Sequence, residues 1–178
     1  MCGVALKLVK EAARYQGAFA SLSIGAPLLT SDQDSRIVAD ALAAATAAYD
    51  DGAAAICLMG HGTGAAANEV YERMQKELAG SGRANYFIGT VEAAPTVDKV
   101  LSLVKAGNYK RVLLQPIMIV AGDHANNDMA GEEEDSWKRI FESAGYEVVC
   151  QVHGLGELEV IQNLFVEHTK ATVQVLNG

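Results

Sequence analysis

Several things are scarce in this chain of 178 residues, and each shortage removes a class of function. Cysteine occurs three times, as Cys2, Cys57 and Cys150, at no metal-ligand spacing. Cys57 and Cys150 lie inside apolar stretches and read as buried thiols in a reducing compartment. Positive charge is outnumbered, 14 basic side chains against 22 acidic ones, for a formal charge of −8. Phosphate backbones require basic patches, so nucleic acid is excluded as the main partner. No apolar run reaches membrane-spanning length, and no membrane partner is expected. Lysines and a glutamate interrupt the opening MCGVALKLVKEAARY, so no export signal is expected and the cytoplasm is the expected compartment. A GxSxG elbow is missing, which counts against a serine hydrolase of that fold. The glycines of GHGTG at residues 60–64 suit a phosphate at a helix N-terminus, but the lysine of a P-loop and the spacing of a dinucleotide fingerprint are absent.

What remains is rich in alanine and glycine and half hydrophobic, a composition that suits a compact α/β protein. The length supports one good-sized core and falls short of two ordinary domains. The most informative stretch is Ile117 to Trp137, IMIVAGDHANNDMAGEEEDSW. An apolar run from Val112 to Val120 stops at Ala121-Gly122-Asp123-His124, and a polar loop leads to a helix beginning near Glu132. A histidine loop between a strand and a helix stands at the carboxyl edge of a sheet, where ligands bind in open α/β folds.

Along the chain, residues 3–16 place Val4, Leu8, Ala12 and Tyr15 on one helical face. Residues 18–24 alternate as a half-exposed strand that Gly25-Ala26-Pro27 breaks. Ser31 with Asp34 resembles a capping box, and an alanine-rich helix follows to about Tyr49. Ala53–Met59 is a short apolar strand ending in GHGTG, and the next helix aligns Val70, Met74 and Leu78. Asn85–Gly89 is a second strand that runs out at Thr90-Val91-Glu92. Thr96 is placed to cap a helix carrying Val97, Val100, Leu101 and Val104. Arg111–Val120 is the third strand. The helix from Glu132 buries Trp137, Ile140, Phe141 and Ala144, with its first-turn acids complementing the helix dipole. Tyr146–Val152 is the fourth strand, and a final helix covers about Glu157–Val173.

Strand and helix alternate strictly from residue 53 on. Crossovers of that length make the strands parallel, with helices on both faces. The expected fold is therefore α/β, a flavodoxin-like parallel four-stranded sheet of order 2-1-3-4. Its switch point lies between the first and third strands, where His61 and His124 emerge, with Glu92 arriving from the side. A helix–strand–helix echo links residues 3–49 with residues 131–173. The chain reads as a complete unit, residues 51–178, preceded by residues 1–50 as the back half of another.

Two imidazoles and a carboxylate with open positions suit a divalent first-row ion such as Co²⁺, Fe²⁺, Ni²⁺ or Zn²⁺, held transiently. Topology alone leaves both the metal role and plainer ones open. His61 could simply cap the following helix, and Glu92 could be only an exposed loop carboxylate. His153 reads as a solvent-facing loop residue and His168 as a packed helix histidine. Glu132, Glu133, Glu134 and Asp135 read as the acids of a helix start, and Asn126, Asn127 and Asp128 as loop-shaping side chains.

The blocks GHGT (60–63), GTVE (89–92) and AGDHANNDMAGEEEDSWK (121–138), with GLGE (154–157) and VEH (166–168), resemble the anaerobic-type sirohydrochlorin cobaltochelatases, a class II chelatase family. The likeness covers about residues 18–170. It implies a chelatase-like fold and insertion of Co²⁺ into sirohydrochlorin in cobalamin biosynthesis. It also implies that the histidine of GHGT, the glutamate of GTVE and the histidine of AGDHA hold the metal and serve catalysis, here His61, Glu92 and His124. Members of the family often carry a further histidine in GHGTxH, where this chain has Ala65. They also have two similar halves with the macrocycle between them, so pairing of two chains into a homo-oligomer is expected. Arg36, Arg73 and Lys99 are candidates to meet the macrocycle's carboxylates. The expected function is a cobaltochelatase-like enzyme. The alternatives are a non-catalytic tetrapyrrole or metal-binding protein derived from a chelatase half and, more remotely, metal-assisted hydrolysis.

Overall fold

The computed structural model describes residues 3–64 and 66–177. Cys2 and Ala65 lie outside the described residues. Four parallel strands, β1 (Ala54–Gly60), β2 (Tyr86–Thr90), β3 (Arg111–Pro116) and β4 (Glu147–Cys150), form one sheet of order β2-β1-β3-β4. This is the expected order, with β1 and β3 adjacent at the centre. The helices are α1 (Gly3–Ala13), α2 (Asp32–Thr46), α3 (Glu69–Gly80), α4 (Val97–Ala106), α5 (Trp137–Ser143) and α6 (Glu159–Asn177).

The two-residue period of β1 divides its side chains between two cores. Ala54, Ile56 and Leu58 join Val38 and Leu42 of α2, Met74 and Leu78 of α3, and Ile161 and Leu164 of α6. Ala55, Cys57 and Met59 join Val100 and Val104 of α4, and Trp137 and Phe141 of α5, on the other face. Every residue of β1 is buried, as a strand covered on both faces requires. Each fully buried Leu, Ile or Met contributes on the order of 1.5–3 kcal/mol, so the centre of the sheet carries a large share of the fold's stability. Burial pushes the Cys57 thiol far above its ordinary value and raises Cys150, which is half-buried, for the same reason.

Helix starts follow their caps. Ser31 accepts a hydrogen bond from Asp34 N at 3.0 Å, and its hydroxyl donates to Asp34 Oδ1 at 2.7 Å. Thr96 stands at the N-cap of α4, although its side chain makes no capping bond. No helix among the described residues is long and apolar enough to cross a membrane.

Four sequence expectations are corrected. Residues 18–24 form no strand: 16–18 are a 3-10 turn and 21–27 are irregular. Alternating side chains supply a face but no partner for the backbone, and among the described residues no neighbouring strand is there to pair. The helix expected from Glu132 begins at Trp137, capped by Ser136, which accepts from Arg139 N at 3.2 Å. The glutamates therefore lie in the loop before it, and Glu132 pairs with Lys138, which holds its carboxyl below the ordinary range. β3 stops at Pro116 instead of reaching Val120, because proline carries no N–H to extend the ladder. The first helix stops at Ala13, so Tyr15 lies beyond it, and both Leu8 and Tyr15 are exposed.

Candidate metal centre

The site stands where β1, β2 and β3 end. His61 directly follows Gly60, the last residue of β1. The pairing of β1 and β2 continues beyond both strands, with Val91 N donating to Gly60 O at 3.0 Å and Glu92 N to His61 O at 2.9 Å. Glu92 is thereby mounted on the backbone of His61. Gly62 turns the chain with φ +85°, and a Cβ there would lie 2.9 Å from both Ala93 N and the Thr90 Cβ, so glycine is required. The Tyr71 phenol packs against Gly60 and accepts from Gly62 N at 3.2 Å. Thr63 N donates to Asn68 Oδ1 at 3.1 Å, and Asn68 Nδ2 to Ala94 O at 2.6 Å. The GHGT loop is thus tied to α3 and to the loop after β2.

His124 arrives by a different route. After Pro116 the apolar residues 117–120 leave the sheet in bends. Met118 O and Ile119 O accept from Leu155 N at 2.7 Å and Gly156 N at 2.9 Å. A Cβ on Gly154 would lie 2.5 Å from Ile119 O and 2.9 Å from Ala121 N, so the GLG turn is pressed directly on the backbone that leads to His124. His124 then opens a single π-helical turn, Ala125–Met129, closed by Ala130 N donating to Ala125 O at 3.2 Å. Such turns are uncommon and cluster at functional sites. Ala125 and Met129 anchor it in the core, leaving Asn126 and Asn127 exposed.

One ligand atom from each of His61, Glu92 and His124 lies within 4.8 Å of the other two. The imidazole centroids are 4.7 Å apart with perpendicular rings. His61 Nδ1 is 3.8 Å from Glu92 Oε2, and about half of each of these two side chains is exposed. Three donors of this kind can hold a divalent first-row ion and leave positions open for a second ligand set. No other set of three or more such side chains is close enough to hold an ion among the described residues. His61 does not act as a plain helix cap: its Nδ1 lies 2.8 Å from Gly62 O, and Asn68 stands at the start of α3.

The remaining candidates make other contacts. His153 is solvent-facing, with Nδ1 2.9 Å from Glu157 Oε2. His168 is packed on α6, with Nδ1 3.0 Å from Ala26 O and Nε2 3.3 Å from Asp34 Oδ1. Arg36 faces Glu77 at 3.8 Å, and Arg73 donates to Leu29 O. Lys99 is exposed in the first turn of α4 and makes no ion pair among the described residues. Asn126 shapes the His124 loop by donating to Ala121 O and Gly122 O. The carboxylate of Asp128 instead faces the ring of His124, at 2.6 Å from Nδ1. That contact was open to prediction from the i, i+4 spacing at a helical turn, whereas the roles of Tyr71, Gly154 and Gly156 depend on distant backbone and leave no local signal.

The chain is 34% identical over 167 residues to the sirohydrochlorin cobaltochelatase CbiKC of Nitratidesulfovibrio vulgaris, covering 94% of this chain and 59% of that protein. It is also 34% identical over 162 residues to the sirohydrochlorin cobaltochelatase of Salmonella typhimurium, covering 91% of this chain and 61% of the relative. It therefore spans about three fifths of the length of the curated relatives it matches. The family model for cobalt chelatase (CbiK) matches residues 6–174, nearly the whole length, and the chain belongs to that family.

Proposed function

We propose that this protein inserts Co²⁺ into sirohydrochlorin, with His61, Glu92 and His124 as the metal-transfer site. The observation that carries the reading is the approach of these three side chains to within 4.8 Å at the carboxyl edge of the sheet. Both relatives are named as sirohydrochlorin cobaltochelatases, which supports the same substrate pair.

Insertion removes two pyrrole N–H protons from the macrocycle while the ion exchanges its water and protein ligands for four ring nitrogens. Few, exposed donors favour release, since a closed four-ligand cage would retain the ion. His61 and His124 hold Co²⁺ and, as the ion leaves, offer neutral imidazole nitrogen to the departing protons. Glu92 balances the ionic charge and passes protons outward. Fe²⁺, Ni²⁺ and Zn²⁺ satisfy the same donors, so selection among them falls to supply and to the macrocycle. Exposed Ile119 and Val120 on the approach to His124 offer apolar surface to a ring face.

In this reading residues 51–178 form one chelatase-like α/β unit and residues 1–50 belong to a second. Two chains pair so that the macrocycle lies in a cleft between them, and the reaction belongs to the cytoplasm. Light scattering should give a mass above that of one chain, and a strict monomer contradicts the pairing. Incubation of protein, sirohydrochlorin and Co²⁺ should change the macrocycle's absorbance faster than the protein-free control. His124→Ala should remove most of that rate, by about 10²-fold or more, as expected for loss of a ligand that also accepts protons. An unaccelerated reaction overturns the proposal. A second reading, a tetrapyrrole or metal carrier without turnover, uses the same three exposed donors. Tight binding of Co²⁺ or macrocycle with no metallation selects it.

A further inference from the structure

We infer that Asp128 is a positioning residue for His124, holding the ring as the Nδ1–H tautomer so that the Nε2 lone pair is the one presented to the ion. The inference rests on the reading of His61, Glu92 and His124 as a metal-transfer site, and it adds a fourth residue that sets how one of them binds.

A neutral imidazole has one N–H donor and one bare nitrogen, and only the bare nitrogen ligates. Asp128 Oδ2 lies 2.6 Å from His124 Nδ1. An ionised carboxylate only accepts, so the hydrogen of this bond sits on Nδ1 and Nε2 is left bare. The contact is short for an N–H···O bond, as an ionised acceptor favours. His61 reaches the same state by other means: its Nδ1 lies 2.8 Å from Gly62 O, and a carbonyl also only accepts. Both rings thus keep the same nitrogen bare, but the lock on His61 is backbone and the lock on His124 is a side chain.

Asp128 reaches the ring because the π-helical turn brings it back over residue 124. The carboxylate adjacent in sequence, Asp123, is engaged elsewhere, accepting from Asn127 Nδ2 at 2.7 Å. Without Asp128, His124 has no fixed acceptor for Nδ1–H, and the free side chain favours the opposite tautomer, with Nε2 protonated. Binding then requires the ring to change tautomer first. Carboxylates behind metal-binding imidazoles also make the ring a stronger donor, and their loss typically lowers metal affinity by about 10- to 100-fold.

The test uses protein labelled with ¹⁵N in histidine, without metal, at a pH where the imidazoles are neutral. Long-range ¹H–¹⁵N spectra should show His124 of the wild type with hydrogen on Nδ1, and Asp128→Ala should shift it toward Nε2–H. Asp128→Asn keeps an accepting oxygen and should retain the tautomer while losing the charge. In Co²⁺ titrations followed by absorbance, the dissociation constant should rise about 10- to 100-fold in Asp128→Ala and less in Asp128→Asn. A wild type with hydrogen on Nε2 overturns the inference even if no variant folds. So does an Asp128→Ala protein with unchanged tautomer and unchanged affinity, and in that case the metal-transfer reading stands if metallation persists. A wild type that binds no Co²⁺ yet loses its tautomer in Asp128→Ala sinks the metal-transfer reading and leaves the role of Asp128 intact.

Discussion

Replacing Gly154 by alanine tests whether the turn after β4 sets the position of His124. The added methyl would stand 2.5 Å from Ile119 O and 2.9 Å from Ala121 N, both backbone atoms that cannot rotate away. Residues 119–121 must shift, and they lead within three positions to His124. Forcing a methyl into such a contact costs about 1–3 kcal/mol. For a domain of this size that lowers the melting temperature by about 2–12 °C. A displacement near 1 Å at a reacting group can cost on the order of 10²-fold in rate, so metallation should fall well beyond what the stability loss explains. Gly122→Ala is the control, because nothing lies within 4 Å of its added methyl. Calorimetry, Co²⁺ titration and metallation rate on the three proteins give the answer. If Gly154→Ala melts and binds Co²⁺ like the wild type, the close approach of the two backbones does not govern the site.

Three further outcomes follow from the geometry. Ser31→Ala removes the cap of α2 and should cost about 1 kcal/mol, a fall of about 2–4 °C in melting temperature, with the metal site unaffected. Tyr86→Phe deletes a hydroxyl 2.7 Å from Thr46 Oγ1 and 3.1 Å from Asp50 Oδ2. Urea unfolding should show a loss of about 1–2 kcal/mol, and an unchanged midpoint contradicts that bond's contribution. The Glu157 carboxyl is held below its ordinary range by the His153 ring and then by Gly154 N. A depressed carboxyl stabilises the fold above the ordinary carboxylate range and loses that contribution as pH falls through its own lowered value. Carbon-detected titration should find Glu157 below ordinary glutamates, and His153→Ala should raise it.

Much of the fold is written locally. β1, with all seven residues apolar or glycine, could only be a strand covered on both faces, and Ser31 marked the start of α2 from its own chemistry. The strict alternation of elements then fixed parallel pairing, and the switch point named His61 and His124 before any side chain was placed. What failed was what depends on a partner. Residues 18–24 have the period of a strand, but a strand exists only where another backbone accepts its hydrogen bonds. The acids 132–135 have the composition of a helix start, yet Ser136 offers the better cap and Lys138 takes Glu132. Pro116 was visible in the apolar run and should have ended it. At the site, Glu92 was legible as a residue after a strand, but its attachment to His61 is a cross-strand fact. The pressure of Gly154 on Ile119 lies between segments more than thirty residues apart, beyond the reach of periodicity.

The hydrogen bond from Glu92 N to His61 O has a mechanical consequence. Those two donors ride on one continuous ladder and must travel together, whereas His124 stands on a separate turn held by two glycines and a pair of core side chains. In the proposed metal-transfer site, His61 and Glu92 therefore form one unit and His124 a second. Release of an ion from the proposed site should accordingly respond to changes around residues 118–131 separately from changes in the loops after β1 and β2, which carry His61 and Glu92 together.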